Sequence, residues 1–216
     1  MAKDRISYTE AARILAKRDP VIADLLERTG PPRLSRFPDT PFAALVRAIV
    51  YQQLAGAAAA AIHGRLVAAL NGDVEPAAVA ALSDETLRAV GMSRSKVLSL
   101  RDLAAKVLDG SVKVAPRSLA RQGDEDIITA LSTVRGIGRW TSEMFLLFQL
   151  HRMDIWPTGD LGVRRGYGLA WGVPMPTAGE LEPLGDVFRP YRSVAAWYCW
   201  RAAELYAGAG ESALTR

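Results

Sequence analysis

The chain has 216 residues, 50% hydrophobic and 23% charged, enough for one or two domains with a sizeable buried core. Its 27 Lys and Arg against 23 Asp and Glu give a formal net charge of +4, a balance that suits a polyanion-binding surface without requiring one. A single cysteine, Cys199, excludes an internal disulfide, a cysteine-based structural zinc site and a four-cysteine iron–sulfur cluster. No apolar run approaches the roughly 18 residues of a membrane helix, and Met1-Ala2-Lys3-Asp4-Arg5 opens no signal peptide, so a cytoplasmic globular protein is expected.

In chain order the pattern is helical nearly throughout. Ser7-Tyr8-Thr9-Glu10 fits a capping box, and Asp19-Pro20 and Thr40-Pro41 each set a capping oxygen before a proline suited to the first helical position. From Phe42 an apolar stripe through Leu45, Ile49 and Leu54 predicts a long helix to about Leu70, closed by Asn71-Gly72, with Gly56 marking where a break would fall. Ser83 and Ser93 cap two further helices ended by Gly91 and Gly110; the second carries Val97, Leu100, Leu103, Ala104, Val107 and Leu108 on one face. A short amphipathic helix over 124–132 precedes Val134-Arg135-Gly136-Ile137-Gly138, and another helix runs over 139–150. Pro157-Thr158-Gly159 breaks the chain before a helix opening at Asp160. Thr177-Ala178-Gly179-Glu180 forms a second capping box, and Pro190 leads into a last helix ending near Gly208. No alternating run of strand length is present, so the expectation is an all-α fold of about ten helices.

The segment from Val134 to Glu143 carries the most information. Two glycines around one apolar residue let a helix stop, turn and restart, because glycine tolerates positive φ. Ile137 would plug that turn into the core. The restarted helix would offer backbone N–H groups near Gly136, Gly138 and Thr141 to an anion such as a DNA phosphate, a contact that reads no base. By itself Gly-x-Gly describes an ordinary helical corner, and Asp160 by itself describes an N-cap.

In combination these residues resemble a known family. Gly136-Ile137-Gly138-Arg139-Trp140-Thr141, then Trp156-Pro157-Thr158-Gly159 and Asp160, is similar to the helix–hairpin–helix DNA glycosylases with their Gly/Pro-rich loop and aspartate. Ile49-Val50-Tyr51-Gln52-Gln53-Leu54-Ala55, Gly91-Met92-Ser93-Arg94-Ser95-Lys96 and Phe188-Arg189-Pro190-Tyr191-Arg192-Ser193 resemble three further blocks of that family, in the same order, across about residues 40–205. Within it the chain most resembles the 3-methyladenine DNA glycosylase II (AlkA) type, without that type's N-terminal β-rich domain.

The resemblance implies a two-lobed helical fold. A central lobe over 40–153 would contain the hairpin at about 125–150, and 1–39 with 154–216 would form a second lobe. Bent double-stranded DNA carrying alkylated bases would cross the cleft between them, with Asp160 at its mouth. The implied reaction is hydrolysis of an N-glycosidic bond in base excision repair, after the damaged nucleotide has flipped out of the duplex. Asp160 would be the catalytic carboxylate, stabilising positive charge on the sugar; a helix N-terminus favours the anion. Where bifunctional relatives carry a Schiff-base lysine this chain has Trp140, so it should leave an intact abasic site without a nick.

Trp140 and Trp200 fall at pocket positions of the AlkA type and would stack on the base, a favourable contact of roughly 0.5–2 kcal/mol for a cationic alkylpurine. Tyr51 would add to the wall, and Met144 and Leu161 stand where enterobacterial members have tyrosines. Gln53, with Leu54 beside it, aligns with the wedge that fills the gap left by flipping. Gly136, Gly138 and Thr141 would hold phosphate, with Arg139 and Arg165 as cationic candidates alongside Arg135, Arg164, Arg94 and Lys96. No cofactor is required. The backbone carbonyls of Val134 and Ile137 are the candidates for the Na⁺ or K⁺ ion that the family's hairpin holds.

His63 and His151 form no metal cluster with neighbouring carboxylates, and Cys199 reads as a small core residue rather than a nucleophile. A monomer suffices, in the cytoplasm and associated with the nucleoid. Two rivals remain: a non-catalytic helix–hairpin–helix protein that binds bent or damaged DNA, and an unrelated all-α interaction protein with a chance Gly-Ile-Gly turn.

Overall fold

Side-chain oxygens open the helices where the sequence places them. In the computed structural model, which describes residues 6–34 and 39–207, Ser7, Asp19, Thr40, Ser83, Ser93, Asp160 and Thr177 each accept a hydrogen bond from a first-turn amide. The Thr177 box is reciprocal, with Glu180 accepting from the Thr177 amide at 2.7 Å. Such caps satisfy donors that the helix itself leaves open.

Among the described residues there are thirteen α-helices and no strand. In chain order they are α1 (Tyr8–Ala16), α2 (Pro20–Thr29), α3 (Pro41–Tyr51), α4 (Gly56–Ala69), α5 (Pro76–Ala81), α6 (Asp84–Ala89), α7 (Arg94–Leu108), α8 (Pro116–Leu119), α9 (Asp124–Ser132), α10 (Arg139–Phe148), α11 (Leu161–Trp171), α12 (Ala178–Leu184) and α13 (Arg192–Leu205). A 3-10 turn, Asp186–Phe188, precedes α13. No helix among the described residues is long and apolar enough to cross a membrane.

The helix expected from Phe42 to Leu70 is two helices, α3 and α4. Gln52 leaves helical geometry at ψ 131°, and Gln53 takes φ 56°, which ends α3 one turn before Gly56. The other additions to the expected ten are α5 and α8, too short to show a helical period. The last helix stops at Leu205; the expected end, Gly208, lies outside the described residues.

The chain divides into two compact units, one of residues 36–149 and one of residues 1–35 with 150–216. In the continuous unit, Leu45, Ile49, Leu66, Leu100, Leu103 and Leu146 are fully or almost fully buried, and α3 packs on α4, α7 and α10. The other unit is centred on α13, which packs against α1, α2 and α11. Its core includes Leu15, Ile22, Leu25, Val163, Phe188 and Tyr198. Gly166 sets the closeness of α11 and α13: a Cβ there would lie 1.7 Å from the Cys199 carbonyl oxygen.

Candidate functional site

The hairpin joins α9 to α10. Its turn runs in the left-handed region only at Gly136, φ 78°, where a Cβ would also sit 2.6 Å from the Ser99 hydroxyl. Gly138 is extended instead (φ −100°, ψ 178°), so its value is not left-handed freedom. It is the N-cap of α10 and brings no side chain to the helix mouth. The positive end of the helix dipole is thereby offered to an anion.

Ile137 is 3% exposed and plugs the turn as its sequence position implies. From the flank, Asp102 Oδ2 accepts the Arg135 amide at 2.7 Å and the Lys106 ammonium at 2.8 Å, and Gln52 donates to the Gly136 carbonyl at 2.8 Å. The Val134 carbonyl accepts the Ile137 amide at 3.0 Å, which closes the turn. Among the described residues no group of three or more His, Cys, Asp and Glu is placed to hold a metal ion.

Asp160 is the N-cap of α11 and half-buried. Its Oδ1 accepts the Val163 amide at 2.9 Å and the Trp200 indole N–H, also at 2.9 Å. The carboxylate is therefore fixed from its own helix and from α13. Gly162 clears the way, since a Cβ there would lie 2.9 Å from Trp200 Cδ1 and 3.1 Å from Asp160 Oδ1.

The loop leading to Asp160 is anchored in turn. Ser193 Oγ accepts the Ile155 amide and donates to the Arg152 carbonyl, and Arg192 makes a paired contact with the Asp154 carboxylate at 2.8 and 3.0 Å. The Trp156 indole, buried, donates to the Leu181 carbonyl.

Tyr51 and Met144 line one small apolar pocket of about 180 Å³ between α3 and α10, together with Arg47, Thr141, Phe145 and Phe148. The Arg47 guanidinium lies 5.1 Å from the Tyr51 ring centroid, and His63 meets that ring edge-on behind it. Burial, then the Arg47 charge, lowers the pKa of His63 despite the opposing pull of Asp39. Trp140, on α10, is 49% exposed, and Leu161, on α11, is 64% exposed.

Comparison with known proteins is consistent with this arrangement. Residues 46–189 match the model of the HhH-GPD superfamily of base excision DNA repair proteins. The chain belongs to that superfamily. It is similar to DNA-3-methyladenine glycosylase 1 of Schizosaccharomyces pombe, 34% identical over 168 residues covering 76% of this chain and 73% of that protein. The crystal structure of a Bacillus halodurans DNA-3-methyladenine glycosidase superposes with a TM-score of 0.83 at 33% identity, over 91% of this chain and 90% of that one. The S. pombe 3-methyladenine DNA glycosylase in complex with abasic DNA superposes at 0.77, also at 33% identity, over 91% and 97% of the two chains.

For a member of the HhH-GPD superfamily, several expected phosphate ligands are otherwise engaged. Arg139 is held by both oxygens of Glu125 at 2.7 and 3.0 Å and by Glu143, itself only 4% exposed, at 2.9 Å. Its charge is therefore shared with acids of its own unit, while 58% of its side chain remains exposed. Arg164 donates to the Pro176 carbonyl, and Lys96 to the carbonyls of Val50 and Gln52. Arg135, Arg94 and Arg165 are exposed. Thr141 turns its side chain into the buried pocket wall, leaving its backbone to the helix mouth.

The wedge candidates Gln53 and Leu54 sit exposed on the α3–α4 turn, Leu54 at 39%. Cys199 is fully buried, and burial pushes its thiol pKa far up, which rules out a nucleophilic thiolate. Sequence reading missed Gly162, Gly166, Asp102 and the Asp154–Arg192 pair. The spacing Gly162, Gly166 on one helix is a signal of close helix approach that was available.

Proposed function

We propose that the protein is a monofunctional DNA glycosylase of base excision repair that hydrolyses the N-glycosidic bond of alkylated bases such as 3-methyladenine. The observation that carries this reading is the carboxylate of Asp160, pinned through Oδ1 by the Val163 amide and the Trp200 indole. A carboxylate so held needs no reorganisation when positive charge develops on deoxyribose, and that is the condition for efficient electrostatic stabilisation. It also serves to orient the water that attacks the sugar carbon as the base departs. Alkylation weakens the bond being broken, so a modestly equipped site suffices.

The extruded base would find aromatic surface at Trp140 and an apolar recess at Tyr51 and Met144. Gln53 would fill the vacated stack. The hairpin turn and the mouth of α10 would take a phosphate, and a sodium or potassium ion on the carbonyls of Val134 and Ile137 would add positive charge there. With tryptophan at position 140 the chain has no amine there to form a Schiff base, so the product is an intact abasic site. We place the protein, as a monomer, in the cytoplasm with the chromosome.

The test is incubation with alkylated duplex DNA followed by separation of free bases. Free 3-methyladenine, with strand breaks only after alkali, is expected. Asp160→Asn should lower release by at least about a hundredfold while duplex affinity stays within about threefold, the signature of a contact made in the transition state alone. Full activity in Asp160→Asn, or a covalent adduct trapped by borohydride, would refute the mechanism. Tight binding to abasic DNA without base release would favour the non-catalytic reading.

A further inference from the structure

The turn that carries Gln53 is held from outside its own helix. Gln53 is exposed and sits at φ 56°, a conformation that costs a non-glycine residue energy unless its surroundings impose it. On the N-terminal side of that residue, the Lys96 ammonium donates to the Val50 carbonyl at 2.7 Å and to the Gln52 carbonyl at 2.8 Å. Lys96 comes from the first turn of α7, so these bonds span 46 and 44 positions of sequence. A compact cation with several donors suits the place, because the carbonyls at the end of α3 form the negative pole of that helix.

The same pieces reach the hairpin. Gln52, whose carbonyl Lys96 holds, donates through its side chain to the Gly136 carbonyl at 2.8 Å. One turn after Lys96 on α7, the buried Ser99 hydroxyl packs so closely on Gly136 that a Cβ there would lie 2.6 Å from it. The first turns of α7 thus touch both the α3–α4 turn and the hairpin turn, all within one unit.

We propose that Lys96 is a positioning residue that fixes the Gln53 turn in register with the hairpin, so that a phosphate seated at the hairpin dictates where Gln53 enters the duplex. This rests on the glycosylase reading above, in which Gln53 fills the gap left by the flipped nucleotide. Lys96 then touches neither base nor sugar, and its contribution falls on opening the duplex rather than on breaking the bond.

A single 7-methylguanine, placed either opposite cytosine or in a bulge with no opposing nucleotide, separates the two steps, since an unpaired base costs far less to extrude. Single-turnover release by the full chain is compared for wild type, Lys96→Met and Lys96→Arg. Removing hydrogen bonds from a charged donor should slow Lys96→Met about ten- to a hundredfold on the paired substrate. On the bulged substrate it should stay within about threefold, and Lys96→Arg should recover most of the paired activity. Equal losses on both substrates, or no loss on either, would overturn the inference. Should Lys96→Met fail to fold, Gln52→Met, which cuts the link to Gly136 alone, must show the same paired-selective loss or the inference fails. A wild-type protein that releases no base from either substrate would sink the glycosylase reading, and the inference with it.

Discussion

Asp160 and Trp200 meet although 40 positions separate them, and the bond between them gives the tryptophan a second task. From sequence Trp200 is an aromatic wall for a flipped base. In the structure the edge of its indole is committed to the carboxylate. Trp200→Phe keeps most of the ring and loses the donor, so single-turnover base release should slow about tenfold while affinity for duplex DNA is unchanged. Gly162→Ala should give a comparable loss, because its methyl would displace the indole from Oδ1; a variant as fast as wild type would show that this bond does not matter. The capping role of Asp160 was legible because a cap is a local arrangement within three residues. Which edge of Trp200 would face Asp160 was not, since a sequence fixes no approach direction between distant helices.

Helix starts were legible for the same local reason, and the weakness around Gly56 foretold the place at which α3 and α4 part. Short helices such as α8 gave no signal, because four residues hold barely one helical period. The support that Asp102 gives the hairpin was invisible for a different reason: it acts across 33 positions.

Asp102 makes the hairpin sensitive to acid. Burial raises its pKa, but the hydrogen bond from Lys106, the Arg135 amide and the two nearby charges outweigh that, and the net shift is downward. A carboxylate with a lowered folded pKa contributes its full stabilisation above the usual unfolded value of about 3.9 and loses it as pH falls through the lower folded value. Protection of the Arg135 amide, its exchange taken relative to the intrinsic rate at each pH, should therefore fall below about pH 4. Asp102→Asn should flatten that response and cost on the order of 1–2 kcal/mol in urea unfolding at neutral pH; an exchange profile that keeps its acid limb in the variant would assign the sensitivity elsewhere.

On the scale of the molecule, the all-helical class was plain because apolar spacing, caps and glycine stops all agreed. What patterning could not announce is how tightly one unit is drawn together at the α11–α13 seam. There the Gly166 Cα faces main chain, not a yielding side chain, and a methyl has no direction in which to be accommodated. Gly166→Ala should cost more than about 3 kcal/mol and lower the melting temperature by many degrees, with base release falling as Asp160 and Trp200 part. A melting temperature within a degree or two of wild type would contradict so close an approach of the two helices.

The unit that bears Asp160 is assembled from both extremities of the chain, whereas residues 36–149 are contiguous. During translation the contiguous portion emerges whole while α13 is still unmade, and domains generally fold as they emerge. A nascent polypeptide therefore completes its hairpin before the indole that pins the carboxylate has been synthesised. On the function proposed above, newly made copies would gain the means to hold a phosphate before the means to release a base.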